Sequence, residues 1–268
     1  MNQKDNSSIF TPILIGGSLI LLISFAIRST FGLFQIPIAE QFMWARSEFS
    51  LAIAIQNLAW GIGTPIFSAF AEKFGDRKAI TVGLLLYAIG IFISSTASSP
   101  EAHQFLNVII GFGIAGSGFG PILAVVGRSA SPEKRSLALG ITTAAGSAGQ
   151  VVGPPFAAKL LSIMPWPSVF VVFALISLLT IVLVPLLKSN PKISKIDVEE
   201  NLRDALIEAV KDPTYIMLFL GFFSCGFQLA FITAHFPAFI AESSSPIIQG
   251  SLISFVCNSV DSLGALSI

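Results

Sequence analysis

The chain has 268 residues with 15 acids and 15 bases, so its formal net charge is zero and no broad positive field points to nucleic acid. Charged residues make up 11% of it, against about 25% in soluble proteins. Hydrophobic residues make up 53% and mean hydropathy is +0.82, which excludes an ordinary water-soluble globule.

Read from one charge to the next, the uncharged intervals are 6–27, 49–71, 79–100, 102–127, 136–158, 160–187 and 213–241, with a shorter one from Ser243 to Asp261. A hydrocarbon core of about 30 Å needs roughly 20 apolar residues as helix. In lipid, a backbone that is not in a closed barrel finds partners only within its own helix. The intervals therefore predict an all-α membrane protein with seven complete spans and an eighth that stops short. The first interval is too long for the apolar core of a signal peptide and no small-residue cleavage pattern follows it, so it reads as a retained helix.

The bases are distributed unevenly. Lys4, then Lys73, Arg77 and Lys78, then Arg128, Lys134 and Arg135, then Lys188, Lys192, Lys195, Arg203 and Lys211 all fall on one side of the predicted spans. The opposite loops hold only Arg46 and Lys159. Positive-inside bias then predicts a cytoplasmic N-terminus.

Between the sixth and seventh spans lies a polar interval, 188–212. Val198, Leu202, Leu206 and Val210 recur every four residues there, with Asp197 as a cap and Pro213 as a stop, which predicts an amphipathic linker helix on the membrane surface. Three regions follow: a six-helix bundle over 1–187, the linker over 188–212, and two further helices over 213–268. A weak repeat crosses the linker. A shift of 200 residues sets Ser24 on Ser224, Arg28 on Gln228, Phe31 on Phe231 and Pro37 on Pro237. A shift of 201 sets Ser50 on Ser251, Leu51 on Leu252, Asn57 on Asn258 and Gly63 on Gly264. Helices 7 and 8 thus correspond to helices 1 and 2, as in carriers built from parallel repeats with a site between the halves.

Arg28 is the sharpest candidate. It lies about 18 Å from Glu40 at helical rise, at a depth where a charge costs about 2.5–3.5 kcal/mol even on lenient scales. Such a cation either faces a watery cavity that could receive a carboxylate, or is tied to helix-end carbonyls as a structural lock. Asn57, Gln150, Gln228 and Asn258 supply uncharged donors within spans, or else join helices. His235 and Asp261 are the remaining ionisable groups in the seventh and eighth spans and could carry a proton, although His235, near the outer end of its helix, reads first as a plain polar residue. Asp261 could equally pair with Arg28. Cys225 and Cys257 lie in spans and read as packing residues. Glycines crowd the fourth and fifth spans, where they let helices approach closely. No metal-ligand spacing, nucleophile elbow or phosphate loop is present, so neither an enzyme nor a bound cofactor is expected; SAGQVVG at 147–153 is glycine-rich but membrane-embedded.

Two stretches carry a family likeness. The loop after the second span reads Ser68-Ala-Phe-Ala-Glu72-Lys73-Phe-Gly75-Asp76-Arg77-Lys78 and resembles the loop signature of the major facilitator superfamily. Lys73, Gly75 and Arg77 match it, while Glu72, Ser68 and Asp76 stand for an aspartate, a glycine and a base. In the fifth span Gly140, Gly149 and Gly153-Pro154 resemble that superfamily's antiporter motif, with Ala157 and Ala158 at its closing glycines. Asn107 stands where an arginine often precedes the glycine at Gly111. IRSTFGLF at 27–34, SPEKRSLALGITTAAGSAGQ at 131–150 and CGFQLAFITAHFPAFIAE at 225–242 are similar to the bacterial branch of monocarboxylate and oxalate/formate carriers.

The resemblance implies the major facilitator fold, with a complete N-terminal bundle plus the first two helices of the C-terminal bundle. It also implies alternating-access transport of a small organic anion across the bilayer of a bacterial inner membrane. In that picture Glu72, Lys73, Gly75 and Arg77 form a gating loop that anchors the two halves. Export of drugs or metabolites is the rival expectation, and a non-transporting membrane subunit a third. Relatives of this pattern have twelve helices, so the chain is expected to be a fragment, one piece of a split carrier, or a decayed one, with a second half as partner.

Overall fold

Lipid gives apolar helices no reason to associate, so such a chain must hold itself together by close packing and a few polar contacts. The computed structural model describes residues 10–187, 207 and 210–242. Nine α-helices are described: α1 (Pro12–Arg28), α2 (Gln35–Phe42), α3 (Arg46–Phe74), α4 (Asp76–Ser94), α5 (Pro100–Ser117), α6 (Phe119–Ser129), α7 (Arg135–Leu161), α8 (Trp166–Thr180) and α9 (Pro213–Glu242). Short 3-10 segments at Phe31–Phe34 and Ile181–Leu186 extend α1 and α8. The stretches Pro12–Phe42, Arg46–Phe74, Asp76–Ser94, Pro100–Ser129, Trp166–Leu186 and Pro213–Phe236 are long and apolar enough to cross a membrane. Helix α7 is long enough at 27 residues. Its glycines, serines, threonines and Gln150 make it the less apolar fifth span.

The ends of the spans have local causes. Thr11 caps α1, its hydroxyl accepting from the Leu14 amide at 3.2 Å, with Pro12 opening the helix. Ser99 caps α5 in the same way, accepting from Ala102, followed by Pro100. Gly75 separates α3 from α4 with φ +96° and ψ 144°, a region open to glycine alone without strain. The charge-to-charge reading places most spans within a few residues, but the first needs correction. It does not end at Arg28. The chain turns through the 3-10 segment and continues as α2 to Phe42, because Ser29 and Thr30 bond back to the Ala26 and Ile27 carbonyls and the following residues stay helical.

Side-chain contacts sort the helix ends into two groups. At the basic end the Arg77 guanidinium donates to the Pro185 carbonyl at 2.6 Å, and Arg128 pairs with Asp76 at 2.5 Å. At the opposite end the Trp166 indole donates to Gln41 at 2.6 Å and the Gln104 amide donates to Glu48 at 2.8 Å. Between these ends the first six spans form one bundle, with α1 against α7, α3 against α5, and α4 against both α5 and α8. Phe31, Phe34, Phe49, Trp166 and Phe170 fill the core towards the opposite end; Leu21, Leu84, Ile122 and Val125 fill it towards the basic end.

Glycine makes the closest approaches. A methyl group at Gly149 would collide with the Leu22 carbonyl, and one at Gly153 with the Ala26 carbonyl. Helix α7 therefore lies directly on the backbone of α1. Helix α9 touches the rest of the protein near its far end, where the Thr233 carbonyl sits on Gly32 and Ala234 is buried beside Phe31 and Phe34. Its residues from Pro213 to Gln228 are exposed. Most of the linker helix, the eighth span, Asn258 and Asp261 lie outside the described residues.

Replacing Gly149 or Gly153 by alanine should lower stability by about 1–3 kcal/mol, the range for overpacking. Gly140, whose added methyl meets nothing within 4 Å, serves as control. Gly140→Ala should be neutral or gain up to about 1 kcal/mol from lower backbone entropy. Thermal unfolding of the three variants in one detergent reads the difference; equal losses at all three positions would contradict the packing.

Candidate functional site

Arg28 is the last residue of α1, so the break in the first span places a guanidinium at a helix C-terminus in mid-span. A cation there is favoured by the helix dipole. Arg28 is 7% exposed. One terminal nitrogen donates to Asn57 Oδ1 at 2.9 Å, and Asn57 in turn donates to the Ile53 carbonyl at 2.8 Å, which fixes the amide's orientation. The guanidinium carbon lies 4.6 Å from the Trp60 ring centroid and 5.9 Å from that of Phe25. Asn57 and Trp60 are three residues apart on α3, hence neighbours on one helix face. The Arg28 Nε has no hydrogen-bond partner, and among the described residues no carboxylate pairs with Arg28. It is therefore a buried cation held by one neutral amide and an aromatic ring, with donor capacity left over.

The other amides divide. Gln150 is 8% exposed and its Oε1 has no partner. Through Gly149 and Gly153 it lies level with the Leu22–Ser29 stretch of α1. Gln228, the repeat partner of Arg28, is exposed on α9, well short of the Thr233 contact. His235 is half-buried, with its ring 5.0 Å from Phe231. Asn107 is committed elsewhere: it accepts from Gln56 at 2.9 Å and donates to the His103 carbonyl at 2.8 Å, joining α3 to α5 in the core.

In the loop, Glu72 and Lys73 are exposed, and the Lys73 ammonium lies 5.4 Å from the Phe74 ring. Arg77 reaches the Pro185 carbonyl, inside its own bundle. The residue there that sequence reasoning passed over is Asp76, read only as a departure from the motif; its carboxylate meets Arg128. In the fifth span Gly149, Gly153 and Pro154 are buried, while Gly140 is exposed. Also passed over were Phe25, Trp60 and Phe119. The rings of Phe25 and Trp60 are 5.8 Å apart and those of Phe25 and Phe119 4.4 Å. The spacing of Trp60 from Asn57 was the available signal.

The family model of the Major Facilitator Superfamily matches residues 17–266. The chain belongs to the major facilitator superfamily, a family of membrane transporters.

Among curated relatives it is 25% identical over 238 residues to the "Uncharacterized MFS-type transporter YcxA" of Bacillus subtilis, covering 85% of this chain and 57% of that one. It is 28% identical over 158 residues to "Monocarboxylate transporter 13" of Bos taurus, covering 58% and 36%. The "Multidrug resistance protein MdtH" of Salmonella choleraesuis is 26% identical over 223 residues, covering 81% and 53%. The chain thus spans between about a third and just over half the length of these relatives. Among solved structures, an inward-facing bacterial homologue of the human lysosomal transporter Spinster superposes with TM-score 0.68 at 18% identity, over 94% of this chain and 60% of that one. The D-xylose–proton symporter gives 0.62 at 15% identity, over 96% and 65%. At such identities these two speak for the fold.

Removing the acceptor should expose the cost of the buried cation. Asn57→Leu is expected to lose about 1.5–3 kcal/mol, the range for a hydrogen bond to a charged group. The double variant Arg28→Met/Asn57→Leu should recover at least half of that, since apolar replacement of both partners removes the unpaired charge. Denaturation in mixed micelles checks this, and strictly additive losses would contradict it.

Proposed function

We propose that the protein is the N-terminal part of a secondary transporter that moves a small monocarboxylate-like anion by alternating access, with Arg28 as the anchor for the carboxylate. The single observation behind this is the state of Arg28: buried in mid-span, bonded to a neutral amide, with Nε unpartnered. A charge left so incompletely satisfied is costly, and a carboxylate arriving at the guanidinium offers both countercharge and acceptors. The similarity to a protein named as a monocarboxylate transporter supports the same substrate class.

Asn57 orients the guanidinium in this reading, Gln150 offers a further polar group from the fifth span, and Gln228 and Asn258 belong to the facing half. His235 and Asp261 are the groups that a coupled proton would use. The loop of Glu72, Lys73, Gly75 and Arg77 and the seat of Gly149, Gly153 and Pro154 on α1 are the stiff parts about which a half would rock, with Gly140 at the exposed start of that motif. The basic end faces the cytoplasm of a bacterial inner membrane, as its bases favour. Helix α9 meets the bundle near the opposite end, so the halves part towards the basic end. A second half, supplied by the remainder of a longer product or by a separate chain, completes the carrier. Efflux is the second reading, favoured by the motif seat in α7 and by the likeness to a multidrug resistance protein.

Small carboxylates should bind the protein in nanodiscs, and Arg28→Lys should weaken that binding about 10- to 100-fold, as loss of a charge-assisted hydrogen bond worth about 1.5–3 kcal/mol requires. Equilibrium binding of radiolabelled acids measures this. Unchanged affinity in a folded Arg28→Lys protein would remove the anchor. Resistance to cationic drugs conferred by the protein, with no carboxylate binding, would favour efflux.

A further inference from the structure

The anion reading of Arg28 leaves the rest of the substrate undefined, and the surroundings of the guanidinium narrow it. Apart from Asn57, the guanidinium lies over two rings, Trp60 at 4.6 Å and Phe25 at 5.9 Å, and interacts electrostatically with the buried Tyr87. Phe119 continues this surface, 4.4 Å from Phe25 ring to ring. Phe25 is sealed at 2% exposure, whereas Trp60 and Phe119 are only half-buried and keep open surface. The helix elements beside them are bare. Gly118 leaves the Trp60 indole nitrogen 3.7 Å from where a Cβ would stand, and Gly146 brings α7 against the Phe119 ring.

The Trp60 indole N–H has no hydrogen-bond partner among the described residues. A cation with an unpartnered donor and two partly exposed rings, one carrying a spare indole N–H, thus all border the sealed Phe25 ring.

We propose, building on the carboxylate reading of Arg28, that the shelf formed by Trp60 and Phe119 selects carboxylates that carry an aromatic ring over short aliphatic acids. A short acid such as acetate satisfies the guanidinium but leaves both ring surfaces uncovered. An aryl acid covers them, gaining apolar burial together with the offset or edge-on contacts that aromatic pairs prefer. Arg28 sits on the Trp60 ring itself, so the carboxylate and the ring of the ligand meet adjoining parts of one wall. A Trp60 substitution alone would also loosen Arg28. Phe119 makes no ring contact with Arg28, and it separates the two roles.

The test is displacement of radiolabelled benzoate from the protein in nanodiscs by benzoate, phenylacetate, acetate, lactate and neutral benzamide. Benzoate and phenylacetate are expected to compete at least tenfold better than acetate and lactate. In Phe119→Leu that ratio should fall below about threefold while acetate affinity is unchanged, and Trp60→Leu should lower the ratio as well. Benzamide should not compete. Acetate or lactate competing as well as benzoate, or an unchanged ratio in folded Phe119→Leu, would overturn the aromatic shelf while leaving the anion anchor standing. Competition by benzamide equal to benzoate would overturn both, because the charge would then contribute nothing. Absence of binding by every carboxylate would also remove both.

Discussion

A guanidinium in the middle of a hydrophobic span has to be stabilised by protein, because lipid offers it nothing. Arg28 meets that requirement in three ways: the dipole of the helix it terminates, the Asn57 amide and the Trp60 ring. Each depends on a particular piece of architecture. The dipole requires α1 to stop at Arg28 and the chain to resume as a 3-10 turn. The amide and the ring require α3 to present one face to α1 in a fixed register. None of the three supplies a countercharge, and the Arg28 Nε keeps an unused donor.

The register that brings α3 to α1 is held from behind. Gln56, next to Asn57 in sequence, points the other way and bonds to Asn107, which bonds back to its own helix at His103. Consecutive residues on α3 thus carry different tasks because helical geometry sends them about 100° apart. The remaining packing is made without help from the hydrophobic effect. Bare backbones at Gly149 and Gly153 bring α7 onto the Leu22 and Ala26 carbonyls, and Gly32 receives the Thr233 carbonyl of α9. These contacts are tight because no side chain intervenes, and they order the helices around Arg28. The Gly32 contact joins the 3-10 segment after α1 to the far part of α9.

Much of this could be read along the chain. The spans follow from uncharged length, and the family from its loop and fifth-span motifs. Arg28 and Asn57 were both legible as polar residues inside spans, but not as partners. Gln228 carried the same sequence signal as Asn57, an amide inside a predicted span, yet it lies exposed on α9 while Asn57 touches the guanidinium. Asp76 registered as a departure from a motif, though it forms the ion pair that closes the basic end with Arg128. Trp60 could be singled out only by its three-residue spacing from Asn57, and Phe119 was indistinguishable from the other aromatic residues of the spans.

The sequence by itself determined membrane residence, the order and approximate length of the spans, which ends carry the bases, and the depth of Arg28. All of these vary along one axis, the bilayer normal, and composition maps onto that axis directly. Which residues meet across the bundle was decided only in the tertiary structure. An apolar side chain facing lipid and one facing a neighbouring helix are chemically alike, since acyl tails are as apolar as leucine. The rotation of each helix about its own axis therefore leaves little trace in composition, and it is that rotation which turns Asn57 and Trp60 towards Arg28 and leaves Gln228 outside.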